Sequence, residues 1–287
     1  MHNYRIITDS GCDLPKSLIE QLNIDVVELT LLFRGQECTN LSDAQIKEMY
    51  DALRAGEAAS TSAINPTGWF AAIEPTLMAG QDAFVMTFSS GLSTTYQSAV
   101  IASEELMEAY PDRKVLVVDT MAASLGQGMY VWHACKKRDE GYGIFQLKDW
   151  CEENKQNMAH WFTVDDLMFL KRGGRISAAT ALVGTMLNIK PVLHVDENGK
   201  LISVSKARGR KNALDALVKK LETDGLPEGN DTVFISHGDC LEDAQYVANL
   251  CKERCGVKEV IISYVGAVIG SHAGPGTVAF FYLGDKR

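Results

Sequence analysis

The sequence predicts an α/β protein of two α/β domains. The first is a mostly parallel sheet with helices on both faces, and the second is a mixed sheet with helices. Three observations carry this expectation. Short apolar runs alternate with helical patterns through the first half, as βαβ units do. In the second half an Asn198-Gly199 turn joins two strand-like runs into a hairpin. The chain has 287 residues, more than one ordinary small core holds.

Taken in order, Arg5–Thr8, Val26–Leu32, Ala83–Phe88 and Lys114–Asp119 read as strands. Lys16–Gln21, Ser42–Ala55, Thr67–Ala79, Tyr96–Ala109 and Ser124–Glu140 read as helices between and after them. The polar stretch Glu153–His160 marks a boundary, giving expected domains at 1–157 and 158–287. Beyond it, Trp161–Val164, Pro191–Val195, Leu201–Lys206, Thr232–Ser236, Glu259–Val265 and Val278–Leu283 are strand-like. Arg210–Thr223 and Leu241–Cys255 are helix-like.

Composition narrows the function classes. The net charge of −9 argues against nucleic acid as the main partner, since phosphate backbones require a basic face. No apolar run is long enough to span a bilayer, so stable membrane insertion is not expected, although transient membrane contact is compatible with the sequence. Seven scattered cysteines without framework spacing suit a reducing cytoplasm. The P-loop pattern for ATP is absent, and Gly126-Gln127-Gly128 lacks the third glycine of a dinucleotide fingerprint. Cys251 and Cys255 have no second ligand pair nearby, so neither a metal nor another cofactor is expected.

In parallel sheets ligands gather at the carboxyl ends of strands. Asp9-Ser10, Ser89-Ser90 and Asp119-Thr120 all fall at such ends. The turn Ser89-Ser90-Gly91-Leu92-Ser93-Thr94-Thr95 places five hydroxyls before a helix, where backbone N–H groups and the helix dipole favour an anion. Thr94 and Gln97 also fit a capping box, which would turn that hydroxyl to its own helix. Thr61 and Ser62 stand in a second segment, Ser60–Thr67, which reads either as a loop whose Thr67 caps the next helix or as a source of hydroxyl donors. Gly270–Thr277 reads as a tight glycine-rich loop, and His272 at its start is the most plausible titratable group. Lys171–Arg175 and Lys206–Lys211 are cationic clusters suited to carboxylate or phosphate.

Five of these segments, in the same order, resemble the DegV family of fatty-acid-binding proteins. They are Asp9–Leu14, Thr61–Pro66, Ser89–Ala99, Arg172–Ile176 and His272–Thr277, and together they span nearly the whole chain. The resemblance implies two α/β domains and a bound long-chain fatty acid. It implies a carboxylate held by Thr61 and Ser93 with His272 close by; Ser62, Thr94 and Gly274 fall in the same motifs. It also implies presentation of that carboxyl group to a separate ATP-binding fatty acid kinase subunit, which forms an acyl phosphate for phospholipid synthesis. Arg175 and Arg208 match the arginines expected at the partner or the phosphate. Thr94 replaces a usual glycine and Ala273 a common threonine. On this reading the protein holds a substrate and has no catalytic residues of its own. The alternatives are a serine hydrolase or acyltransferase using Ser93 or Ser90 with His272 and Asp9, and a sugar-phosphate binding module.

Overall fold

The computed structural model describes residues 3–177 and 188–285. Three sheets organise them. The first is four-stranded and wholly parallel, in the order β2 (Asp25–Val27), β1 (Tyr4–Asp9), β6 (Asp82–Thr87), β7 (Val115–Asp119). The second is six-stranded and mixed: β10 (Leu201–Arg208), β9 (Ile189–Val195), β8 (Met158–Thr163), β13 (Val278–Leu283), β11 (Thr232–His237), β12 (Glu259–Tyr264). Only β11 and β12 run parallel in it. The third is a small antiparallel sheet, β4 (Gln36–Cys38), β3 (Thr30–Phe33), β5 (Ala59–Ser62).

Side-chain alternation explains how the layers stack. On the parallel sheet, Ile7, Ala83, Val85 and Val115 face α3 (Pro66–Met78) and α4 (Thr95–Ala109). Ile6, Phe84, Met86 and Val118 join the opposite cluster, around α5 (Leu125–Asp139). That cluster also holds Phe162, Leu193, Phe234 and Phe281 of the six-stranded sheet, so one helix is covered by both sheets. Trp161, Phe280 and Tyr282, one residue out of step, turn to the far face. There they pack on α8 (Arg210–Asp224) and α9 (Leu241–Cys255). Strands buried on both faces read as continuous apolar runs, which is what the sequence carries.

The structure departs from the sequence reading in three places that matter for the site. Val26–Leu32 is not one strand: it breaks at Glu28-Leu29, and β3 leaves the parallel sheet to start the small one. An unbroken apolar run carries no sign of such a change of sheet. Ser60–Ser62, read as loop, belongs to β5, because Leu31, Leu32 and Thr30 supply ladder partners from outside the local sequence. Residues 267–273 form a helix, α10 (Ala267–Ala273), where a glycine-rich loop was expected. Gly270 sits inside it because a Cβ there would lie 2.3 Å from the Tyr50 hydroxyl.

The serine-rich turn is locked to the hairpin of the six-stranded sheet. Ser89 Oγ donates to the Gly199 carbonyl at 2.8 Å, and a Cβ on Gly91 would stand 2.6 Å from the Asn198 carbonyl oxygen. Backbone cannot yield as a flexible side chain does. Gly91→Ala should therefore lower stability by about 1–3 kcal/mol, read as a reduced midpoint in urea with an unchanged slope. A midpoint equal to wild type would show that the turn and hairpin separate freely.

Candidate functional site

A cavity of about 560 Å³ lies between the carboxyl ends of the parallel strands and the inner face of the six-stranded sheet. That volume is in the range of small-molecule sites. Its wall has two characters. Polar side chains line it at Thr61, Ser62, Ser93, Thr94, Arg175 and His272, and also at Ser90, Gln97, Ser124, His160 and Thr277. The remainder is largely apolar, with Leu92, Phe162, Val195, Leu201, Ala279 and Phe281 prominent.

Each polar side chain is placed by a definable local cause. Thr61 lies opposite Leu31 in the β3–β5 ladder, so both occupy the same face. Its Oγ1 is 2.8 Å from His272 Nε2, across 211 residues of sequence. His272 occupies the last turn of α10, with Nδ1 against Gly173, where a Cβ would come within 2.3 Å of it. Gly173 in turn accepts a hydrogen bond from the Arg175 guanidinium, which folds back along the cavity wall. Ser93 Oγ is 2.9 Å from Thr95 Oγ1 and accepts the Thr95 N–H at 3.2 Å. The Thr94 hydroxyl makes no capping bond, so the anticipated capping box is not formed and Thr94 stays exposed at the cavity edge. Nor does Thr67 cap α3. Asn65 does, accepting the Gly68 N–H at 2.8 Å, with Pro66 in the first helical turn.

The strand-end carboxylates serve the scaffold. Asp9 is fully buried and accepts N–H bonds from Phe88 at 2.7 Å and Gly11 at 3.0 Å, plus one from Gln127 at 3.2 Å. Burial pushes its carboxyl up to about 6 against the lowering effect of those donors. Asp119 Oδ1 accepts the Ser90 N–H at 3.1 Å and the Met121 N–H at 3.0 Å. Both carboxylates thus pin the serine turn from beneath.

A Ser-His-Asp arrangement is not assembled. His272 bonds Thr61, Ser93 bonds Thr95, and Asp9 bonds main-chain donors and Gln127. A nucleophile needs its base within hydrogen-bond reach and that base held by a third group. His272 is also not a ready cation. Burial, reinforced by the Arg175 charge, pulls it down to about 4.

Two residues of the sequence reading fall elsewhere. Gly274 does not line the cavity; at φ 82° it turns the chain beside Phe169, which a Cβ would strike at 2.5 Å. Arg208 is exposed at the end of edge strand β10 and also does not line it. Conversely, Ser124 was not singled out. It lines the cavity at φ 56° and hydrogen-bonds the buried end of Asp13. Its sequence context, a serine before a helix, looks like any N-cap.

Comparison with known proteins decides the family. The family profile described as "Uncharacterised protein, DegV family" matches residues 3–285. The chain belongs to the DegV family. A DegV domain-containing protein of Clostridium perfringens is 43% identical over 289 residues, covering 100% of this chain and 99% of the relative. Among solved structures, a DegV lipid-binding protein from Thermotoga maritima superposes with a TM-score of 0.87 at 32% identity, covering 100% of both chains. A fatty-acid-binding DegV family protein from Thermus thermophilus gives a TM-score of 0.87 at 31% identity, covering 99% of this chain and 100% of that one. These DegV structures therefore share this α/β arrangement, and the two are described as lipid and fatty-acid binders. Among the described residues no helix is long and apolar enough to cross a membrane.

Proposed function

We propose that this DegV protein binds a long-chain fatty acid in the 560 Å³ cavity, tail against the six-stranded sheet and carboxylate at the Thr61 and Ser93 hydroxyls. One observation carries the reading: a single cavity joins Thr61, Ser93 and His272 to an apolar remainder floored by Phe162, Ala279 and Phe281. Thr61 and Ser93 donate to the carboxylate, with Ser62, Thr94 and the N–H groups that open α4 around it. A 16-carbon chain buries roughly 14 methylenes, on the order of 11 kcal/mol before ordering costs. The head-group hydrogen bonds add about 1.5–3 kcal/mol each. The tail therefore sets affinity and the hydroxyls set register.

The protein acts as a carrier with no cofactor, presenting the carboxyl group to a separate ATP-dependent kinase for acyl-phosphate formation. Support for that role is the exposed rim, Ser62 and Thr94, beside Arg175, where a second protein reaches the head without unfolding the first. Arg208, exposed at the end of β10 and outside the cavity lining, is assigned in this reading to the partner and not to the lipid. The halves 1–157 and 158–287 act as the two jaws around the ligand. A sugar phosphate is disfavoured by the apolar remainder of the wall, which it would leave uncovered.

Denaturing extraction followed by lipid mass spectrometry tests the reading. Protein from a lipid-containing host should release a near-stoichiometric acyl chain. An empty extract, together with no uptake of added palmitate, would sink it.

A further inference from the structure

We propose that Tyr50 is the positioning residue of the head-group site, holding Thr61 and His272 at hydrogen-bond distance from each other; the inference rests on the fatty-acid reading above. The two side chains come from separate pieces of the molecule. Thr61 stands on β5, an edge strand of the small sheet laddered to β3. His272 stands in the last turn of α10, which follows β12 of the six-stranded sheet. Their contact at 2.8 Å therefore depends on how the small sheet is set against α10.

One side chain spans that junction. Tyr50 lies on α2 (Asp43–Arg54) and is fully buried. It shares a core cluster with Leu31, the ladder partner of Thr61, and with Ala267 at the start of α10. Its ring stacks on Tyr264 at the end of β12, with centroids 6.4 Å apart and planes at 23°. Its hydroxyl donates to the Val265 carbonyl at 2.6 Å, across 215 residues of sequence. Val265 lies between β12 and α10, and its own N–H donates to the His237 carbonyl at 2.8 Å. The take-off of α10 is thus tied to β11 on one side and to α2 on the other. Gly270 completes the seat, since a Cβ there would collide with the Tyr50 hydroxyl.

The hydroxyl matters because α10 is short and His272 is at its far end. At 1.5 Å per residue the 7 residues of α10 span about 10 Å, so a tilt of about 6° at the base carries the His272 ring about 1 Å. That is enough to take the Thr61–His272 contact out of hydrogen-bond range. Phenylalanine at position 50 keeps the ring, and with it the packing on Leu31 and Ala267. It deletes only the bond that fixes the angle, and the Val265 carbonyl loses this donor. The effect falls on where the two head-group side chains stand more than on the core.

The test is a double-mutant cycle on palmitate affinity, read by displacement of a fluorescent fatty acid. Wild type, Tyr50→Phe, Thr61→Ala and the pair are compared, each checked for a cooperative thermal transition. Tyr50→Phe should weaken binding about three- to tenfold on its own, and less than about twofold once Thr61 is alanine. NMR titration of the ligand-free proteins gives a second readout, the His272 signal being assigned by its loss in His272→Gln. Burial and the Arg175 charge hold that imidazole down at about 4. In Tyr50→Phe its midpoint should move up by roughly one pH unit as water reaches the ring. A tyrosine that merely fills the core would leave the His272 midpoint in place, and any loss of affinity would be the same in both backgrounds. That result, or wild-type affinity in folded Tyr50→Phe, overturns the proposal and leaves the fatty-acid reading intact. If Tyr50→Phe does not fold, Gly270→Ala, which displaces the hydroxyl from the helix side, decides by the same two measurements. Wild type that takes up no palmitate removes the fatty-acid reading and this role with it, whatever the His272 midpoint.

Discussion

Ala279→Phe should abolish uptake of a 16-carbon fatty acid, while Thr61→Ala should weaken it only about ten- to thirtyfold. Ala279 lies in β13 opposite Phe162, and both side chains line the cavity. A ring added there stands in the path of the tail. Losing cover for half the methylenes removes on the order of 5 kcal/mol, several thousandfold in affinity. Removing the Thr61 hydroxyl deletes one hydrogen bond to a charged group, about 1.5–2 kcal/mol. Isothermal titration with a soluble fatty acid, on variants that keep a cooperative melt, measures both. Equal losses in the two variants would mean that the head group, and not the tail, holds the ligand.

His272→Gln should change how stability depends on pH, with opposite consequences at the two ends of one window. The imidazole is pulled down to about 4 in the folded protein, against 6.5 for an unperturbed histidine. Between those values the unfolded chain holds a proton that the folded one does not. Wild-type stability from this group therefore rises with pH from about 4 to 6.5, and acid favours unfolding. The difference corresponds to up to about 3 kcal/mol. Glutamine does not titrate, so relative to wild type the variant should gain stability as pH falls through that window. At pH 7.5 it should be equal or slightly worse, depending on its contact with Thr61.

The buried carboxyls work in the other direction. Burial lifts Asp9 to about 6 and Asp13 to about 7, so in the folded state both stay protonated where the unfolded chain has ionised. Their contribution falls as pH rises from about 4 to 7. Wild type should consequently show a shallow pH profile, and the variant a profile tilted toward acid stability. A thermal melt series from pH 4 to 8 checks this, and parallel curves for the two proteins would refute the shift at His272. A bound carboxylate favours the imidazolium, so ligand should reduce the acid sensitivity of wild type alone.

Much of the architecture was legible because local pattern and tertiary role agree. The runs Ala83–Phe88 and Lys114–Asp119 became β6 and β7, shifted by no more than one residue. The Asn198-Gly199 turn closed the hairpin between β9 and β10. The places that misled share a cause. β5 takes its ladder partners from β3, some thirty residues earlier in the chain, so Ser60-Thr61-Ser62 carries no strand signal of its own. Thr94 looked like a cap by spacing, but its hydroxyl accepts no helix N–H, and the neighbouring Ser93 hydroxyl takes that of Thr95 instead. His272 looked like a loop residue because glycines usually break helices, and here Gly270 is inside one to admit Tyr50.

By itself the sequence determined the α/β class, the serine-rich turn at a strand end and the motifs that mark a DegV chain. These depend on spacing and residue type, which local chemistry reads directly. Only the tertiary structure decided that Thr61 meets His272, that Asp9 and Asp119 brace the turn instead of meeting ligand, and which face of β8 and β13 lines a cavity. Both faces of those strands are apolar, so alternation cannot say which one is left uncovered. That choice belongs to the packing of α5, α8 and α9 around the sheet, and with it the place where a hydrocarbon tail can lie.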